Sequence, residues 1–291
     1  LTVLFRISTW NCFGMGQALP DILRWRASLG ARLRHETVVA ACAEPDVLCV
    51  QELLSTCAQS LFDGLRQRGF TSTVRDDNRV CFAPTTFRGT GLGIGSRLTP
   101  THTSVWHFTG GAAGWDRLAR KGALYARFEL TPKLAVHVLT VHLQAGADPL
   151  ARSVRARQVR DLSDLVRQLG ADGSPFIVCG DFNIDGLAAR RDEVEYQELS
   201  RAMRGFQDLG AERDEPTLDP HPVSNALAHR YEADADAKRL DYIFFREGRG
   251  PSFHPQGTLR VLDKPLDTAA DFASDHFGLN ASFAYDDDDA R

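Results

Sequence analysis

Short apolar runs that stop on a polar residue recur along this chain, and they constrain its fold more than any other feature. Residues 3–10, 47–51, 92–95, 123–130, 135–142, 176–180, 241–245 and 279–284 are rich in Val, Ile, Leu and Phe and have the length of strands. Between some of them the period becomes helical. Over residues 150–169, Leu150, Val154, Leu162, Leu165 and Leu169 fall on one face, with Arg and Asp opposite. Residues 31–43, 57–68 and 193–204 read as further helices, and residues 85–91, 109–114 and 214–236 as loops. Strands interleaved with helices predict sheets covered by helices in a single α/β domain, residues 1–285, followed by an acidic tail, 286–291.

Composition narrows the function classes. The net charge is -4, whereas a protein that grips nucleic acid gains most of its affinity by matching phosphates with Lys and Arg. No stable nucleic-acid partner is expected. Apolar residues make up 43 % of the chain, enough for a large core without disulfides. No uninterrupted apolar stretch of about 18 residues occurs, so no transmembrane helix is expected. The six cysteines contain no C-x-x-C pair and read as buried free thiols. A secreted enzyme with a disulfide stays open, and the compartment is not fixed. The chain opens on Leu1 instead of Met, as expected where a leading segment has been removed.

The chemistry lies where the apolar runs end. Asn11 follows one run, Glu52 the next, and His142, Asp181 and Asn183 follow later ones; Asp241 opens a run, and Asp275-His276 precedes the last. One edge of a sheet is where α/β proteins collect binding groups. Singly, each of these residues reads as a helix cap or turn former. Together, Glu52 with Asn11, and Asp181, Asn183 and Asp275, offer hard oxygen ligands that suit Mg²⁺ and also accept Mn²⁺ or Ca²⁺, where zinc would use more His or Cys. His276 is the candidate base, because an imidazole titrates near neutral pH. Asp241 is the candidate carboxylate behind its second nitrogen.

The segments Thr9-Trp10-Asn11, Val50-Gln51-Glu52, Gly180-Asp181-Phe182-Asn183, Arg239-Leu240-Asp241-Tyr242-Ile243 and Ser274-Asp275-His276 resemble, in order, the motifs of the endonuclease/exonuclease/phosphatase superfamily. The resemblance implies a four-layer α/β sandwich of two mixed sheets with helices on the outer faces (DNase I-like). It implies Mg²⁺ held by Glu52 with Asn11 nearby, Asp181 and Asn183 orienting nucleophile and phosphate, and His276 as base with Asp241 behind it.

Within the superfamily, Thr140-Val141-His142-Leu143-Gln144-Ala145 is similar to a segment of sphingomyelinases in which the His meets the scissile phosphate or assists the leaving group. Lys121-Gly122-Ala123-Leu124 resembles a segment of neutral sphingomyelinases, with Asp116 five residues earlier as in an Asp/Lys pair of that branch. Read without the resemblance, Asp116 and Lys121 are a surface ion pair worth little. Thr217-Leu218-Asp219 followed by Asn225 resembles a substrate-binding segment in which Leu218 replaces an aromatic residue. The implied enzyme is a metal-dependent phosphodiesterase, a sphingomyelin phosphodiesterase releasing phosphocholine and ceramide from a membrane or micelle surface. The alternatives are a metal-dependent endonuclease and a phosphoinositide-type phosphatase. Trp106-His107-Phe108 and Trp115 are either core or a small interfacial contact.

Overall fold

The computed structural model describes residues 2–13, 29–53, 58–76, 89–118, 120–268 and 271–286. One six-stranded sheet runs in the order β11 (Phe253–Val261), β12 (Gly278–Asp286), β1 (Thr2–Asn11), β2 (Val47–Gln51), β4 (Gly93–Ser96), β3 (Ser72–Arg75). The other runs β5 (His102–His107), β6 (Gly122–Thr131), β7 (Leu134–His142), β8 (Phe176–Asp181), β10 (Asp241–Arg246), β9 (Gln207–Asp208). Each sheet has one parallel pair near its centre, β1–β2 and β7–β8, and its other pairs are antiparallel.

Alternation of side chains across each strand builds the layers. Val47 and Cys49 of β2, and Ile177 and Cys179 of β8, point into the core between the sheets. Leu48 and Val50 point the other way, onto α1 (Glu36–Ala43) and α2 (Ala58–Arg66). Phe176 and Val178 point outward onto α3 (Pro149–Leu169) and α4 (Val194–Ala202). The result is a four-layer sandwich of helices, sheet, sheet and helices. Because both faces of a central strand are covered, β2 and β8 are apolar at successive positions and do not alternate with polar residues.

α3 starts where Asp148 accepts from the Leu150 and Ala151 amides, with Pro149 in the first turn. Its buried face carries Val154, Val159, Leu162 and Leu165, while Leu150, expected on that face, is exposed. The helix expected over 31–43 is interrupted at His35, whose extended backbone and Nδ1 cap α1 by accepting from the Thr37 amide at 3.3 Å. The stretch 214–236, expected to be a loop throughout, contains α5 (Ala226–Glu232). Asp286, expected in the acidic tail, is the last residue of β12 and pairs with Thr2; residues 287–291 lie outside the described residues. Cys12, Cys42, Cys49 and Cys179 are buried and free, and Cys57 and Cys81 lie outside the described residues. Among the described residues no helix is long and apolar enough to cross a membrane.

Candidate functional site

The ends of the two parallel pairs meet at one edge of the sandwich, and the polar residues gather there. Asn11 is the last residue of β1, His142 of β7 and Asp181 of β8, while Asp241 is the first of antiparallel β10, opposite Asp181. Glu52 follows β2 with φ 57°, and Asn183 lies two residues past β8 with φ 53°. Both occupy the left-handed region that non-glycine residues rarely adopt, a strain common where backbone is bent to present a side chain. Gly180, at φ 132°, lets β8 approach β7: a Cβ there would lie 2.1 Å from the Val141 carbonyl.

Side chains then pair across the sheets. The Asn11 amide donates to Glu52 Oε1 at 3.2 Å and to Asp181 Oδ2 at 3.0 Å. Asn11 Oδ1 accepts from the Phe13 amide, so its oxygen is turned to the backbone and its nitrogen to the carboxylates. As placed, Asn11 clamps the two carboxylates through its nitrogen, with its oxygen on the Phe13 amide. His276 Nδ1 lies 2.8 Å from Asp241 Oδ2. With the carboxylate ionised, Nδ1 carries the proton and Nε2 is left as the basic nitrogen. Burial opposes charge on His276, but the charge and hydrogen bond of Asp241, with Asp181 and Asp275 nearby, hold it well above the ordinary imidazole value.

The His142 corner is built the opposite way. His142 Nε2 is 3.1 Å from Lys121 Nζ, and that ammonium is 3.2 Å from Asp116 Oδ1. Asp116 Oδ2 accepts from the Ala145 amide. Lys121 and Asp116 are 4 % and 6 % exposed, so the expected surface pair is a buried one. Burial, then the Lys121 charge and that of His276, drive His142 down to about 3, against the pull of Asp181. Its approaches to Asp181 at 3.5 Å and Glu52 at 4.0 Å are therefore contacts of a neutral imidazole, not ion pairs. Since Nε2 accepts from Lys121, the neutral ring carries its proton on Nδ1.

The remaining candidates divide. Asp181 Oδ1 accepts from the Asn183 amide at 2.8 Å, and Asn183 Nδ2 donates to the Leu143 carbonyl. Asp275 is buried, which raises its carboxyl pKa, and it accepts from the Ser274 hydroxyl. Asn225 was expected at the substrate. It is fully buried, its oxygen capping α5 and its amide held by the Ser274 and Asp275 carbonyls. Asn225 thus positions the Asp275-His276 loop. Trp106 packs edge-on against Tyr125 and Phe108 is buried, so both belong to the core; the Trp115 side chain lies outside the described residues.

Several residues of the motif segments act as supports through partners distant in sequence. Gln51 is fully buried and donates to Thr9 in its own sheet and Thr140 in the other, directly beneath the site. Thr217 Oγ1 accepts from the Leu240 and Asp241 amides, and Leu218 bridges to His276. Gln144 clamps Ala113 through both ends of its amide, and buried Arg155 holds the Gln144 carbonyl while pairing with Glu195. Arg155, one of the arginines the sequence sets opposite the apolar face of this helix, is buried instead of solvated.

Divalent-cation chemistry fits this donor set. Asp181, Asp241 and His276 offer ligand atoms within 4.8 Å of one another, with Glu52 bound to the same Asn11 amide as Asp181. Asp241 Oδ1 is buried without a hydrogen-bond partner among the described residues. Such an excess of buried carboxylate oxygen is costly unless a cation answers it.

Residues 8–276 match the sequence profile of the Endonuclease/Exonuclease/phosphatase family. A comparison with curated protein sequences finds no match. Among solved structures, beta toxin from Staphylococcus aureus superposes with a TM-score of 0.73 at 19 % identity, covering 95 % of this chain and 99 % of that one. Sphingomyelinase C from Streptomyces griseocarneus gives 0.70 at 18 %, covering 96 % and 99 %. A humanized TDP2 from D. rerio gives 0.70 at 19 %, covering 96 % and 98 %. At these identities the likeness establishes the fold.

Proposed function

Since the chain belongs to the Endonuclease/Exonuclease/phosphatase family, and is therefore a metal-dependent phosphoric ester hydrolase, we propose that its substrate is sphingomyelin, cleaved to ceramide and phosphocholine. One observation carries this choice. The two segments that resemble the sphingomyelinase branch meet at the adjoining ends of the paired strands β6 and β7 and form a single buried unit: Asp116 holds Lys121 and the Ala145 amide, and Lys121 holds His142. Two of the similar structures support it, one a sphingomyelinase C and the other a beta toxin variant crystallised with bound magnesium ions.

In this reading His276 Nε2 takes the proton of the attacking water while Asp241 holds Nδ1 and stabilises the imidazolium. Asp181, fixed by Asn11 and the Asn183 amide, orients that water. Neutral His142, backed by the Lys121 ammonium, and Asn183 face the phosphoryl oxygens, where charge builds up as the diester breaks. Glu52 would hold the Mg²⁺, with Asn11 fixing its carboxylate and Asp275 close to His276. The ion, when bound, supplies charge neutralisation for the phosphate and the departing oxygen.

The test compares phosphocholine release from sphingomyelin micelles with plasmid nicking, at equal enzyme, with Mg²⁺ and with EDTA. Phosphocholine release that EDTA and Glu52→Gln both abolish is expected. Efficient nicking with no phosphocholine would reject the lipid substrate and favour the endonuclease.

A further inference from the structure

Far from the catalytic edge, arginines converge where no hydrolytic role is assigned to them. β10 carries Asp241 at one end and Arg246 at the other, about 16 Å away at roughly 3.3 Å per residue. Arg246 lines a cavity of 210 Å³ with Arg167, Arg201 and Arg204, over a floor that includes Phe206, between the C-terminal ends of α3 and α4. Among the described residues no carboxylate lines it.

Arg246 is pinned in place, stacked over Phe176 at 5.5 Å and Phe206 at 4.9 Å, with one nitrogen on the Gly170 carbonyl. Arg201 and Arg204 pair with no carboxylate among the described residues, and Arg167 pairs with Asp164 at 3.0 Å. The simple explanation is that basic residues in the last turns, Arg167 and Arg201, answer the negative ends of the helices. The magnitudes say this is not enough. Each helix end supplies only about half a negative charge, and Asp164 one more, so about two positive charges stay uncompensated. The carbonyls that could absorb more are taken: Ala202 O by the Ser163 hydroxyl and Gly170 O by the Gly173 amide as well as Arg246. Asp172 and Arg249, further charged neighbours of Arg246, act on it in opposite directions, Asp172 the more strongly.

We propose that this cavity binds a phosphate dianion, free or as a phosphomonoester head group, at a site separate from the catalytic one. A phosphate group carries about −1.5 to −2 charge at pH 7, matching the surplus, and guanidinium forks meet its oxygens in pairs. On a chain of net charge -4, four converging arginines, two of them without a carboxylate partner among the described residues, are what such a ligand requires.

Calorimetric titration of the full chain with inorganic phosphate, in EDTA at low salt, tests the site. Saturable binding is expected, unchanged in His276→Ala and weakened about tenfold or more in Arg201→Gln/Arg204→Gln, the size of a lost charge-assisted hydrogen bond. Both arginines are exposed, so the double variant is expected to fold, and sphingomyelin or plasmid turnover reports that it has. A second arm sediments the protein with phosphatidylcholine vesicles, with and without phosphatidate. Binding to phosphatidate vesicles alone, lost in the double variant, identifies a lipid head group as the source. Free-phosphate binding with the same loss identifies the soluble ion. The proposal is overturned if neither probe binds, or if both bind the double variant as they bind the parent.

Discussion

Two buried histidines stand at the same edge of the sandwich, and their surroundings drive them in opposite directions. His276 backs onto Asp241 and is held well above the ordinary imidazole value; His142 backs onto Lys121 and falls to about 3. Burial acts the same way on both, against the charged form. The difference is therefore the partner: a carboxylate in one corner, an ammonium in the other. The pairing separates the roles: the carboxylate lets His276 take up and hold a proton, while His142 remains a neutral dipole held by a fixed positive charge.

The contrast is broken most severely at His276. His276→Ala is expected to lower turnover by about 10²–10⁴-fold or more, the usual worth of a positioned base, with the native fold retained by circular dichroism. A rate–pH profile that overlays the parent at similar turnover would rule His276 out as the base. Asp241→Asn comes next. It should cost about 10²-fold or more through the wrong tautomer, and it removes the charge that raises His276. Turnover needs neutral His276, so the parent's acid limb lies above the ordinary imidazole value, and this variant should move it to lower pH. An unmoved limb would assign the titration to another group.

The other corner yields a smaller effect. Lys121→Gln leaves Asp116 buried without its cation, and chemical denaturation should show a loss of about 3–5 kcal/mol. Asp116→Asn/Lys121→Gln should recover much of it. In that double variant, imidazole NMR should show His142 titrating above its parental value. If it stays put, burial alone sets its neutrality.

A further expected effect is on stability against pH, measured in chelator, where the two histidines have opposite signs. His142 binds its proton less readily folded than unfolded. Its contribution is complete above the unfolded value of 6.5 and is lost as pH falls toward about 3. His276 binds more readily folded. Its contribution is present below 6.5 and is lost as pH rises through its folded value. Melting curves should therefore lose their acid-side dependence in His142→Gln and their alkaline-side dependence in His276→Gln. A change on the same side in both contradicts the assignment.

What could be read in the sequence was local. Strand ends carrying Asn11, His142, Asp181 and Asp241 stand out because an apolar run stops on a polar residue, and one sheet edge is where such residues collect. What escaped depends on distant partners. Gln51 becomes a bridge only when Thr9 and Thr140, 42 and 89 residues away, come to it. Asn225 reads alike as a ligand contact or a helix cap, and the cap is visible only once α5 exists. Edge strands were also illegible: β3 is half-exposed along its length, and β11 contains Pro255 and a register shift before Gly257. Arg155 looked solvated because Glu195, its partner, belongs to another helix.

The side-chain pairs at the catalytic edge are seams. Asn11, Glu52 and His276 belong to one sheet and its flanking turns, and Asp181, Asp241 and His142 to the other; the Asn11–Asp181, His276–Asp241 and Gln51–Thr140 bonds all cross between them. Neither half contains a working set, so turnover behaves as a coincidence signal that appears only once the two halves have closed on each other. During refolding, recovered activity should lag behind recovered far-ultraviolet ellipticity, and the lag is the time the finished sheets take to find their register.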